Sequence, residues 1–202
     1  MTALPSGAER VVAVYAGPTL GLPVELADAM LSDVIDLVTA TPHVAPAVLT
    51  TAARRDAANT ASWPGTRLVE VSDDGRVGAL LAAAADPSAV AVAVVMSDAP
   101  DLPGLLLGKL FRSVSGRPQV AVCPAEPDAL VAVAASLPLP SWLVESTVGF
   151  DQPDAVAALQ AAGPPRLVAV VPGWHRIRSF ADTARLDPGL EGWDATRLAL
   201  SG

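Results

Sequence analysis

Short apolar segments alternate with longer amphipathic ones along most of this 202-residue chain. The segment Ala89–Met96 is apolar throughout, which is typical of a central strand in a parallel sheet that is covered on both faces. The segment Pro23–Thr39 repeats apolar residues at helical spacing, with acidic residues between them. This alternation predicts a single α/β domain over residues 1–202, built on a mostly parallel, doubly wound sheet with helices on both faces.

Other segments extend this pattern. Arg166–Val171 is predicted to be a buried strand that ends at Pro172-Gly173, and Ala129–Ala134 is a further strand, with an antiparallel direction as one option. Asp73 or Asp74 is predicted to cap a helix that continues to Ala85. Ligands of doubly wound sheets bind beyond the carboxyl ends of the strands. We therefore expect functional residues in the loops that follow Tyr15, Val71, Met96, Cys123 and Val171.

Composition excludes some classes of partner. The net charge is −8 and the sequence has no basic run that could neutralise phosphates, so we expect no nucleic-acid partner. We see no signal peptide and no stretch of ~20 uninterrupted apolar residues, so we expect no membrane association. The sole cysteine, Cys123, fits a reducing compartment, and we expect a cytoplasmic protein with this thiol in its core. The oligomeric state is not predictable from the sequence.

The loop after the predicted central strand carries two carboxylates, Asp98 and Asp101. A carboxylate that leaves a central strand at its carboxyl end is well placed to hold Mg²⁺ or Mn²⁺ against a diphosphate. In the alternative interpretation, Asp101 caps the helix that begins near Pro103, and Asp98 forms a local turn with the backbone. The residue pattern alone leaves both interpretations open.

The run Val94–Pro103, VVMSDAPDLP, resembles the signature of the selenodomain-associated transferase-like family. Gly75–Leu81 is similar to that family's Gly-Asp-Leu-Gly-x-x-Leu segment, and Gly173–Leu186 is similar to its closing segment. The resemblance implies a nucleotide-diphospho-sugar transferase fold of the glycosyltransferase A type. It also implies a nucleotide or sugar nucleotide as ligand and Asp98 as a metal ligand.

The sequence departs from the family at the positions that would carry phosphate and metal. The first loop contains Gly17 but no basic residue, whereas the family has a Lys-Thr-Arg-Leu segment there. Arg76 stands where the family has an aspartate in its Gly-Asp-Leu-Gly segment. The loop that contains Glu126 and Asp128 replaces the family's Asp-Gly-Gly.

Arg176 and Arg178 stand where the family has the two acids of an Asp-Val-Asp motif. Arginine is always protonated and offers only donors, so neither residue can ligate a cation. One interpretation places Ile177 in the core and both arginines in solvent. In the other, the guanidinium groups face the cleft, where they bind an anion directly or pair with Asp98 or Asp101. His175 is the histidine nearest to this predicted cleft.

These observations lead to two functional hypotheses. The first is a transferase-like protein with a degenerate metal site and reduced or lost catalysis, which still binds a nucleotide, a sugar nucleotide or a small anion. The alternative is an active glycosyl- or nucleotidyltransferase that acts on a nucleotide-activated small substrate, with Mg²⁺ or Mn²⁺ as cofactor. The Arg-for-Asp replacements favour the first hypothesis.

Overall fold

A computed structural model describes residues 9–18, 21–72, 74–117, 119–126 and 129–201. In these residues the strands, in chain order, are β1 (Arg10–Ala16), β2 (Val44–Thr50), β3 (Arg67–Glu70), β4 (Ala91–Met96), β5 (Val120–Ala125), β6 (Ala129–Ser136) and β7 (Val168–Val170). The α-helices are α1 (Val24–Ala40), α2 (Arg55–Ala61), α3 (Val77–Ala84), α4 (Gly104–Val114), α5 (Ser141–Glu145), α6 (Ala155–Ala162) and α7 (Asp194–Ser201). Short 3₁₀ helices occupy Ala52–Arg54 and Phe180–Arg185.

The strands form one sheet in the order β3-β2-β1-β4-β6-β5-β7. All neighbouring pairs are parallel except those of β6, which runs antiparallel to both β4 and β5. The predicted α/β sheet with helices on both faces is therefore confirmed, and the antiparallel option for the sixth strand is the observed one. Because β6 is reversed, its first residues lie at the same edge of the sheet as the last residues of β4 and β5.

Strand β4 lies at the centre of the sheet, and all six of its residues are buried. Side chains of a strand alternate between the two faces. Val95 accordingly packs with α1 and α4 on one face, whereas Val94 packs with α3, α5 and α6 on the other. The fully apolar sequence of this strand is thus explained by two apolar layers rather than one.

Helix α1 presents one more apolar stripe, away from the sheet. Leu26 and Met30 form a third cluster with Ile177 and Trp193, which come from the last quarter of the chain. Helix α7 is held to α1 by Asp33, whose carboxylate accepts the backbone N–H groups of Ala195 and Thr196. This packing fixes the C-terminal segment across the carboxyl edge of the sheet.

Two local predictions need correction. The predicted buried strand Arg166–Val171 is the three-residue edge strand β7, and Val170 is half exposed because no strand covers its outer side. Helix α3 begins at Val77 without a side-chain cap. Of its two predicted caps, Asp74 instead pairs with Arg76, and Asp73 lies outside the described residues.

Within the described ranges, no helix is long and apolar enough to cross a bilayer.

Candidate functional site

A narrow cleft opens at the carboxyl edge of the sheet, where β1 and β4 end. Gly17 lies on its wall after β1, and Asp98 lies on its wall after β4. The charged residues that line it are Arg54, Asp98, Asp151, Arg176 and Arg178. The loop after the central strand therefore reaches the cleft, as its position in a doubly wound sheet requires.

The segment after β7 crosses this edge of the sheet from β5 to β4. The Trp174 N–H donates to the Pro124 carbonyl at 3.0 Å, and the Ile177 N–H donates to the Asp98 carbonyl at 2.7 Å. The Ile177 side chain is fully buried and packs with α1. Two backbone hydrogen bonds and one apolar anchor thus fix the position of Arg176, which lies between them.

Arg176 is the central charge of the site. Its Nε and Nη2 atoms donate to the two carboxylate oxygens of Asp98, each at 2.7 Å. Its Nη1 atom donates to Asp151 Oδ1 at 2.7 Å and to the backbone carbonyl of Leu130 at 3.1 Å. This arrangement is a bidentate arginine–carboxylate pair with a second carboxylate added.

Arg176 is only 3% exposed, so the interpretation that places it in solvent is wrong, whereas Ile177 is in the core as that interpretation expected. Burial disfavours the charged guanidinium, but the charges and hydrogen bonds of Asp98 and Asp151 outweigh it and raise the pKa of Arg176. The Arg176 guanidinium is therefore a permanent buried cation held between two carboxylates.

Arg178 has a different environment. Its side chain is 39% exposed, and its guanidinium lies 3.4 Å from Asp151 Oδ1. The backbone N–H of Arg178 donates to Asp182, which also caps the following 3₁₀ helix together with Ser179. Arg178 is thus fixed by its backbone, while its side chain lies at the cleft and is accessible to a ligand.

Asp101 does not line the cleft, in contrast to its predicted role in a metal or diphosphate loop. Its carboxylate is buried and accepts hydrogen bonds from Trp174 Nε1, His175 Nε2 and the backbone N–H of Asp187. Burial by itself would raise the pKa of Asp101, but these hydrogen bonds together outweigh it and lower that pKa. Asp101 does not cap α4 either, since that helix has no side-chain cap. It binds the C-terminal segment to the loop after β4.

The remaining predicted cleft residues are dispersed. His175 contacts Asp101 and stacks on Trp174, so it does not line the cleft. Arg76 is exposed and paired with Asp74 outside the cleft. Glu126 lies in a neighbouring depression, which shares Arg176 and Arg178 with the cleft. Asp128 lies outside the described residues.

The sequence analysis did not predict two charged residues of the cleft, Arg54 and Asp151. Arg54 follows β2, whose loop also lies at the carboxyl edge, and an inspection of that loop would have found it. Asp151 lies between β6 and α6 and has no signal in the sequence. Its role depends on a contact with Arg176, 25 residues away.

No family model matches this sequence, and no curated relative matches it. Solved structures do match. A protein from Desulfovibrio desulfuricans G20, assigned as a nucleotide-diphospho-sugar transferase, is 13% identical with a TM-score of 0.67, over 96% of each chain. The 4-diphosphocytidyl-2C-methyl-D-erythritol synthase of Anaerococcus prevotii DSM 20548 is 12% identical with a TM-score of 0.65, over 97% of each chain.

The chain has the nucleotide-diphospho-sugar transferase fold. A further match with this fold is Rv0371c of Mycobacterium tuberculosis H37Rv in complex with manganese, which is 18% identical with a TM-score of 0.58 and covers 91% of this chain and 100% of its own. At these identities the matches show the fold alone. Whether the present chain could hold a divalent cation is decided by its own side chains.

The residues that line the cleft of this chain do not fit a divalent cation. Mg²⁺ and Mn²⁺ need free oxygen ligands, but both oxygens of Asp98 accept hydrogen bonds from Arg176. The Arg176 guanidinium adds a fixed positive charge in direct contact with this carboxylate. Within the part of the chain that the structure describes, no three His, Cys, Asp or Glu residues are grouped to hold a metal. The predicted metal-ligand role of Asp98 is therefore not supported by its surroundings.

Proposed function

We propose that this chain is a transferase-like protein in which Arg176 has replaced the metal ion, so that metal-dependent catalysis is reduced or lost. We also propose that it is a divergent relative of the selenodomain-associated transferase-like family, as the run Val94–Pro103 suggests. One observation carries the first proposal: the Arg176 guanidinium contacts both oxygens of Asp98 and one oxygen of Asp151. A buried cation already neutralises the carboxylates that a metal would need.

The ligand we propose is anionic: a nucleotide, a sugar nucleotide or a small phosphorylated compound. Three arginines and two aspartates line the cleft, and Asp28, which pairs with Arg54, lies outside that lining. Arg178 is the residue we expect to bind a phosphate, because its half-exposed guanidinium has only a 3.4 Å contact with Asp151. A guanidinium can exchange such a contact for a bidentate bond to an oxyanion.

Calorimetric titration of nucleoside di- and triphosphates and sugar nucleotides, with and without Mn²⁺, tests this proposal. Because Mn²⁺ also binds the phosphates of the free nucleotide and reduces their charge, we expect that it does not strengthen binding. Arg178→Gln should weaken binding by about tenfold or more, since a charge-assisted hydrogen bond contributes roughly 1.5–3 kcal/mol. Arg112→Gln is the matched control, because it removes the same charge from an exposed position on α4.

The melting temperature gives a second measurement. Because a ligand that binds the folded state stabilises it, millimolar Mg²⁺ or Mn²⁺ should leave the melting temperature of the free protein unchanged. A metal-dependent rise that Asp98→Ala abolishes would contradict the proposal and favour the active, metal-dependent transferase. Metal-dependent turnover of a sugar nucleotide would do the same.

A further inference from the structure

Arg54 is a second buried cation of the cleft, and it takes no part in the hydrogen bonds that join Arg176, Asp98 and Asp151. It ends the short 3₁₀ helix after β2, and it is only 8% exposed. It lines the cleft together with Gly17, Pro18 and two residues of α1, Ala27 and Met30. This wall is formed by the segment from the end of β1 into α1, where the sequence has no basic residue of its own. Arg54 therefore brings a positive charge to a wall that otherwise lacks one.

The hydrogen bonds of Arg54 are incomplete. Its Nη1 atom lies 2.5 Å from Asp28 Oδ1, which makes an ion pair. Among the described residues, however, neither Arg54 Nε nor Asp28 Oδ1 has a hydrogen-bond partner, so this pair is close but poorly aligned. A buried N–H donor without an acceptor costs stability, and such exceptions call for an explanation. Because Arg54 Nε is itself covered in this structure, an anion in the cleft would satisfy it only after a small shift of the guanidinium toward the cleft.

The start of α1 lies beside the same wall. Pro23 precedes this 17-residue helix and provides no side-chain cap. The first N–H groups of a helix have no partner within the helix, and they carry its positive dipole end. Leu22 and Ala27, on either side of the helix start, both line the cleft. The helix dipole and Arg54 favour an acceptor that carries negative charge, whereas Glu25 in the first turn and Asp28 oppose it.

We propose that Arg54 is an oxyanion-binding residue, whose guanidinium takes one phosphoryl group of the cleft ligand. This inference rests on the proposed function, since it concerns the same anionic ligand, and it adds a second anion subsite to the one at Arg178. The ligand class it implies has two separated anionic groups, one at each arginine. Asp28 opposes binding at Arg54, because its carboxylate competes for the guanidinium.

The test is an NMR titration with inorganic phosphate, in which the Nε–H resonance of each arginine side chain is followed. The Arg54 resonance is assigned by its loss in Arg54→Lys. We expect it to shift in a saturable manner, and Arg54→Gln should weaken phosphate binding at this subsite by about tenfold or more. Asp28→Asn removes the competing carboxylate and should strengthen binding roughly two- to fivefold. Arg112→Gln should leave the titration unchanged.

The variants separate this inference from the proposed function. If Arg178→Gln abolishes phosphate binding at its own subsite while Arg54 Nε–H never shifts, the cleft binds anions and the Arg54 inference is wrong. If Arg54 Nε–H shifts and Arg178→Gln changes nothing, Arg54 is the anion site and the proposed role of Arg178 fails. An unchanged Arg54 resonance in Asp28→Asn as well would show that Arg54 only joins α1 to the β2 loop.

Discussion

Removal of the Arg176 guanidinium should destabilise the fold by an amount that the geometry allows us to estimate. Arg176→Gln deletes a buried charge that donates four hydrogen bonds, three of them to carboxylates. Breaking a buried ion pair costs about 3–5 kcal/mol, because the remaining charge is left without compensation. The side chain of Asp98 is 17% exposed and that of Asp151 is 46% exposed, so water relieves part of this cost. We therefore expect a loss of about 3 kcal/mol, at the lower end of that range.

Urea unfolding at neutral pH measures this loss, and a melting curve should show a decrease of about 6–12 °C for a domain of this size. Arg178→Gln is the control, since its single contact is partly exposed and contributes about 1 kcal/mol or less. The double variant Arg176→Gln with Asp98→Asn should lose less than the sum of the single losses, by about 2 kcal/mol. A loss for Arg176→Gln no larger than that for Arg178→Gln would refute the buried charge cluster.

Three further predictions concern other polar groups. Asp101→Asn should lower the free energy of unfolding by about 1–3 kcal/mol at pH 7. Because the fold lowers the pKa of Asp101, the stability that this carboxylate contributes is present above the ordinary pKa of 3.8 and is lost as the pH falls through the folded pKa. Urea unfolding should therefore show the stabilities of wild type and variant converging in acid. Asp33→Ala should lower the free energy of unfolding by about 2 kcal/mol. It should also speed amide hydrogen exchange at Ala195 and Thr196, whose N–H groups the Asp33 carboxylate caps. Unchanged exchange at these two amides would contradict this role. Burial raises the pKa of Cys123 to about 12, so a thiol reagent at pH 8 should label it only after unfolding, and rapid labelling of the folded protein would argue against that burial.

The architecture was predictable because apolar patterns are local. Ala91–Met96 is buried on both faces, and its sequence has no polar residue that would indicate a solvent-facing side. The strand Arg166–Val171 was predicted too long and too buried for a different reason. An edge strand and a central strand can share the same β-rich composition, and only the sheet order shows that β7 has one neighbour.

The site was harder to predict, because its charges meet through long-range contacts. The interpretation with Arg176 in solvent treats its segment as a strand with alternating faces, but the structure has no strand at residues 172–179. There, burial depends on which loop lies opposite, and Asp98 is 78 residues away in sequence. The resemblance to a transferase family directed attention to Asp98 and Arg176, whereas Asp151 and Arg54 had no motif to mark them.

The contacts of Arg176 also bear on the order in which the chain can complete this edge of the sheet. Its partners, Asp98, Leu130 and Asp151, all precede it and lie 78, 46 and 25 residues away. During synthesis, strands β4 and β6 are therefore made while Asp98 and Asp151 still lack their counter-ion. Contacts between distant segments form late, because loop closure must come first. The segment that contains Arg176 thus neutralises the negative charges of Asp98 and Asp151, which repel each other in the growing chain. A chain truncated before Arg176 would keep this repulsion.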